Sequence, residues 1–173
     1  LSADRPFFQS SSMMTLSCID KEKYLDFANN FFKGQSRAMD EDTFEYIYDV
    51  SDKVTWYVQA ILHGIYEHSK DVIDRQLVDD VVREIIESQS TAYQNYCAWL
   101  TENQQRLLTA IARERLVTSP LGQIFIRSYN LPAVSSVKAA LKSLVDKQLI
   151  SKTPQGYYVS DRFFAKWLSG HVF

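Results

Sequence analysis

The sequence predicts a mainly α chain, a helical bundle followed by a three-helix module that ends in a small β-hairpin. Two observations carry this. Apolar residues recur at helical spacing over most of the length, and two short β-prone runs joined by a Pro/Gly-containing turn stand close to the C-terminus. A chain of 173 residues with 46% hydrophobic content can bury one good core or two small ones, and five Gly with four Pro exclude a low-complexity chain.

Residues 5–19 read as irregular, with a short strand at Met13–Leu16, because Pro6 and the serine run oppose helix. Asp20 is placed to cap a first helix whose Tyr24, Phe27, Ala28, Phe31 and Phe32 form its inner face, with Gly34 ending it. Asp40 opens a second, with Phe44, Ile47 and Tyr48 inward. A third starts near Asp52 and buries Val54, Tyr57, Val58, Ile61, Leu62 and Ile65. Asp71 or Asp74 opens a fourth, whose Leu77, Val78, Val81, Val82, Ile85 and Ile86 make a wide apolar stripe. A fifth runs from about Thr91 with Tyr93, Tyr96, Cys97 and Leu100. Short connections suit a bundle.

Thr101 and Gln104 have the spacing of a capping box, and Leu107, Leu108, Ile111 and Ala112 follow on one face. Ser119-Pro120 reads as N-cap and first helical residue of a short helix holding Phe125, Ile126 and Tyr129, which stops at Asn130-Leu131-Pro132. Ser135 or a neighbour opens the next, through Val137, Leu141, Leu144 and Val145. Residues 149–152 and 157–159 then pair as a hairpin across Thr153–Gly156. Helix, helix, turn, helix, hairpin is the order of a winged helix-turn-helix.

Charge is unevenly distributed. Residues 1–100 carry 9 Lys/Arg against 17 Asp/Glu, and residues 101–173 carry 10 against 4. Such asymmetry fits two modules with different partners, and equally an acidic half docked on a basic one. With Val137, Leu141 and Leu144 inward, the third module helix turns Ser135, Ser136, Lys138, Ala139, Lys142 and Ser143 outward. Lysines and small hydroxyls at such a helix suit phosphates and base edges of double-stranded DNA, and Arg127 and the wing's Lys152 add phosphate contacts. The same face suits docking on a protein partner, since no Arg stands on it to pair with guanine and the wing tip is uncharged.

Other chemistry finds little support. His63 and His68 are five apart and fall on different helix faces, and Cys97 is distant, so no metal site is expected. Cys18 and Cys97 read as buried thiols of a reducing compartment, and no apolar run reaches the roughly 18 residues of a membrane span. Cytoplasm is the expected location, with no membrane partner. Asp40-Glu41-Asp42 reads as the acidic start of a helix, Asp79-Asp80 as a solvent-facing pair, and no catalytic residue stands out. The start at Leu1-Ser2-Ala3, without an initiator Met or signal pattern, reads as a piece of a longer chain.

Residues 100–112, 129–144 and 156–168, the last with Asp161, Phe164, Trp167 and Leu168, resemble the C-terminal part of prokaryotic P-loop ATPases of the archaeal-ATPase group, which are AAA- and STAND-like. In that group a winged helix follows a helical lid, and an Asp-x-x-Phe-x-x-Trp-Leu element follows the wing. Val54–Gln59 resembles the lid helix, though Thr55-Trp56 departs from the more usual Gly-x-Pro-x-Tyr. Arg5-Pro6-Phe7-Phe8 resembles the lead-in from the ATPase core. The resemblance implies a lead-in at 1–19, a lid-like bundle at 20–99 and a winged helix with C-terminal helix at 100–173. It implies a missing N-terminal core as first partner, with ATP and Mg²⁺ belonging to that core and Arg5 placed to sense nucleotide phosphate, a surface role being the other account. No Gly-x-x-x-x-Gly-Lys-Ser/Thr occurs, so the chain is expected not to hydrolyse ATP by itself. The expected role is a regulatory C-terminal region that docks on a partner or contacts DNA. The alternative is a stand-alone winged-helix transcriptional regulator.

Overall fold

Aspartates start three helices of the N-terminal half. In the computed structural model, which describes residues 19–35, 37–68 and 72–170, Asp20 accepts from the amides of Glu22 and Lys23 ahead of α1 (Lys21–Phe32). Asp40 accepts from Thr43 N at 2.7 Å ahead of α2 (Glu41–Val50), and Asp74 from Leu77 N at 2.8 Å ahead of α4 (Arg75–Ser88). Each satisfies first-turn amides that the helix itself leaves open. The expectations for Arg5, Cys18, the strand at 13–16 and a cap at Asp71 lie outside the described residues.

Helix α3 (Thr55–Glu67) starts a little after the expected Asp52. Asp52 and Lys53 stand at φ 50° and 64°, forming a tight turn, and Val54 precedes the helix without a side-chain cap. At the far end, buried Arg37 reaches from the α1–α2 connection and donates to the carbonyls of Ile65 and His68 at 3.2 and 2.9 Å. A cation thus meets the carbonyl end of the helix, where its dipole favours positive charge. Helix α5 (Ser90–Ala98) continues from α4 through Gln89.

The expected inner faces are mostly correct and too wide. Tyr24, Ala28, Phe32, Phe44, Ile47, Ile61 and Ile65 are buried. Phe27 is 56% and Phe31 44% exposed, and Val54 and Tyr96 are exposed as well, while Cys97 is half-buried. A 10–12-residue helix buries one stripe, and these residues flank it. Asp79 is likewise no solvent-facing acid: it accepts from the Tyr46 hydroxyl at 2.6 Å, across the α2–α4 contact.

The C-terminal half consists of α6 (Glu102–Glu114), α7 (Gln123–Ser128), α8 (Val134–Asp146), β1 (Ile150–Thr153), β2 (Gly156–Val159) and α9 (Arg162–Ser169). The capping box at α6 is made, Thr101 N donating to Gln104 at 3.0 Å and Gln104 N to Thr101 at 3.4 Å. Ser119-Pro120 does not open α7. It forms a turn in which Gly122 N donates to Ser119 O at 2.9 Å, and Gly122 itself is the N-cap. The physical reason lies one step earlier: Val117 exchanges two 2.9 Å backbone hydrogen bonds with Tyr157, so this stretch runs alongside β2 before it can turn into a helix. Helix α8 starts after Ala133, ahead of the expected serines.

The hairpin pairs Ile150 with Val159 through Thr153 with Gly156, leaving Pro154-Gln155 as its tip. Gly156 stands at φ 148°, and a Cβ there would lie 2.7 Å from Val117 O. Only glycine lets β2 approach Val117 so closely.

Helix α9 joins the halves. Asp161 caps it, accepting from Phe163 and Phe164 amides at 2.9 and 3.0 Å. The buried Phe163 ring lies 4.6 Å from Tyr57 of α3, and the buried Phe164 ring stacks 4.9 Å from Tyr93 of α5. Trp167 Nε1 donates to Ser90 Oγ at 3.0 Å. The Tyr57 hydroxyl donates to Asp161 at 3.2 Å and accepts from Arg162 N at 3.0 Å, and burial pushes it up to about 12, so it stays protonated at neutral pH. The other face of α9 packs on α6, and buried residues of both halves form one continuous core.

Two substitutions test this account. Gly156→Ala is expected to lower stability by about 2 kcal/mol or more, from backbone strain plus the Val117 clash, as read by urea denaturation. Tyr57→Phe removes the hydroxyl between Asp161 and Arg162 and is expected to cost about 1 kcal/mol with the secondary structure unchanged by circular dichroism.

Candidate functional site

The candidate interaction face is the outer side of α8. Val137, Ala140, Leu141 and Leu144 point into the core, against α6, and set the helix's rotation. Ser135, Lys138 and Lys142, spaced three and four apart, are thereby left on one exposed face with Ala139. No part of the described chain covers it. Ser136 is half-buried, and Ser143 turns away from the expected outer set: its hydroxyl accepts from Gln104 Nε2 of α6 at 2.9 Å. Because Ala133 offers no side-chain cap, the Val134 and Ser135 amides of α8 remain open toward an acceptor such as a phosphate, while Ser136 N donates to Ala133 O.

Arg127, on α7, and Lys152, on β1, are both exposed. The Lys152 ammonium lies 5.6 Å from the Tyr157 ring centroid, a cation–π contact that lays the side chain along the wing. The structure thus groups three of the expected residues on one helix face and adds two cations from separate elements.

The turn between α7 and α8 is held by contacts that residue patterns alone did not single out. Asn130 adopts φ 46°, a conformation its short polar side chain tolerates. The Arg106 guanidinium of α6 donates to Asn130 O, and Tyr129 donates to Glu114 at 2.7 Å. Helix α6 is therefore the frame that sets both other helices of the module.

Among the described residues, no three His, Cys, Asp or Glu side chains gather where a metal could bind. His68 lies 3.1 Å from Glu84, and His63 4.0 Å from Glu67, as separate surface contacts. Burial pushes the Cys97 thiol up, away from the thiolate that nucleophilic chemistry needs. No described helix is long and apolar enough to cross a membrane.

Three helices, a hairpin and a third strand reduced to the Val117 bridge define a winged-helix domain. Residues 91–170 match the family model described as "Probable winged helix domain", a span that begins in α5 and ends with α9. In fold, the chain is similar to the Walker-type ATPase of Pyrococcus abyssi, with a TM-score of 0.64 and 14% identity over 87% of this chain and 42% of that one. The chain therefore spans less than half the length of that structure, and the likeness is one of fold. No curated protein matches the chain in sequence.

Replacing Arg106 by Met keeps the aliphatic stem on α6 and removes the donor to Asn130. The expected outcome is a loss of about 1 kcal/mol in chemical denaturation, with faster amide exchange at residues 128–131.

Proposed function

We propose that this chain is the non-catalytic C-terminal region of a P-loop ATPase, a lid-like bundle at 20–99 and a winged helix at 100–173. ATP and Mg²⁺ would belong to an N-terminal core, and Arg5 would stand at the junction. The winged helix serves as a regulatory contact element, presenting α8 to an external macromolecule, a protein partner or double-stranded DNA.

The observation that carries this reading is the division of labour between two helices. Helix α9 is consumed by the joint with α3 and α5, whereas the outer face of α8 with Ser135, Lys138 and Lys142 is left uncovered. The fold likeness to a Walker-type ATPase over less than half of that structure supports the ATPase setting. The charge asymmetry has a partial internal outlet, since Arg162 of the basic half pairs with Asp52 of the acidic half at 3.2 Å. The lysines of α8 have no such outlet within the described residues.

Two measurements test it. A Gly-x-x-x-x-Gly-Lys-Ser/Thr motif encoded upstream of Leu1 supports the ATPase setting, and a reading frame that starts at Leu1 overturns it. For DNA, fluorescence anisotropy with a mixed-sequence duplex at low salt is expected to show binding. Lys138→Glu/Lys142→Glu should weaken it at least about tenfold and lower the log–log salt slope by about 2. A wild-type chain that fails to bind duplex at low salt excludes the groove-reading role and leaves α8 to a protein partner.

A further inference from the structure

A cleft of about 550 Å³ lies between the helical bundle and the winged helix, and the α8 face has no share in it. The C-terminal end of α6 brings Arg113 and Arg115 to its wall, and α9 brings Arg162 and Lys166. Opposite stand Asp49 of α2 and Asp52 of the following turn, so four cations face two carboxylates. One of those carboxylates is already taken, because Arg162 pairs with Asp52 at 3.2 Å while its guanidinium covers the Tyr158 ring at 4.1 Å. Arg113, Arg115 and Lys166 have no carboxylate at ion-pair distance among the described residues.

Two further features single out Arg115 and Lys166, while Arg113 stands exposed beside them at the end of α6. Arg115 ends α6 at φ 62°, ψ −46°, a conformation that glycine adopts with ease and that an L side chain resists. An arginine nevertheless stands there, at the rim of the cleft. Lys166 is half-buried on α9, and burial pushes its ammonium below the usual lysine range, with the Arg115 guanidinium pushing the same way and the Asp52 and Asp79 carboxylates opposing in part. Like charges gathered in a part-enclosed space attract an anion more strongly than the same charges spread over open surface. Val50, Val159 and Ala165 add an apolar part to the wall, and the volume exceeds what a bare oxyanion fills.

We propose that this cleft binds a phosphate-bearing small molecule of nucleotide size, its phosphate taken between Arg113, Arg115 and Lys166 and its uncharged body laid against Val50 and Ala165. Arginine forks and an ammonium match the several oxygens of a phosphate, each contact being charge-assisted. The joint beside the cleft belongs to both halves, so an occupant touches the bundle and the winged helix at once. This site is independent of the α8 face, and the two can fail separately.

Isothermal titration of the whole protein with AMP as probe tests it. Binding at a one-to-one ratio is expected, about tenfold weaker in Lys166→Gln and in Arg115→Gly, the loss of one charge-assisted contact each. Arg115→Gly is the safer variant, since glycine accepts the φ of 62° and the thermal midpoint should hold or rise. Lys138→Glu, on α8, should leave AMP binding unchanged. Absence of AMP binding to the wild type, or affinity unchanged in both cleft variants, overturns the proposal.

Discussion

The structure depends on the burial of one short helix on two sides. Helix α9 has eight residues and is engaged on two sides, with Phe163 on Tyr57, Phe164 on Tyr93 and Trp167 on Ser90 toward the bundle and α6 on the other, while Arg162, Ala165 and Lys166 border the cleft. An isolated helix of this length is unstable in water, so its order comes from tertiary contact. Full burial of two phenylalanines contributes roughly 3–6 kcal/mol in transfer terms, a large part of the stability of a domain this size. Through it the bundle and the winged helix share one core.

The wing is subject to a comparable constraint at smaller scale. A two-stranded hairpin alone is marginal, and here it gains a third partner from Val117 in the loop before α7. Gly156 makes room for that approach, and the bridge in turn holds Val117 alongside β2 ahead of the Ser119–Gly122 turn. The helix-turn-helix is therefore tied to the wing through backbone hydrogen bonds as well as through the core. Arg106 and Tyr129 complete the frame by fixing the turn between α7 and α8 to α6.

These ties place six of the 10 basic residues of 101–173 in two groups. Lys138 and Lys142 stand on an exposed helix face, as far from the acidic bundle as the core-facing side of α8 dictates. Arg113, Arg115, Arg162 and Lys166 look back toward the bundle across a cleft. The net excess of positive charge in residues 101–173 is thus two surfaces with different neighbours. A mean over the sequence cannot separate them.

Much of the fold was legible from residue order. Asp20, Asp40 and Asp74 as caps, the Thr101–Gln104 box, the apolar stripes of α2, α4 and α6, and the hairpin between Ile150 and Val159 are local or periodic signals, and the three-dimensional structure keeps them. The outer face of α8 was legible for the same reason: inward Val137, Leu141 and Leu144 dictate that Lys138 and Lys142 face away. Tertiary contacts decided what no local rule encodes. The Val117–Tyr157 bridge overrode the helix-start signal of Ser119-Pro120, and Tyr46 drew Asp79 out of solvent. The cationic cleft arises where the end of α6 meets α9 and α2. Its residues come from three stretches, 46–52, 112–115 and 159–169, and only the packing of α9 into both halves brings them together.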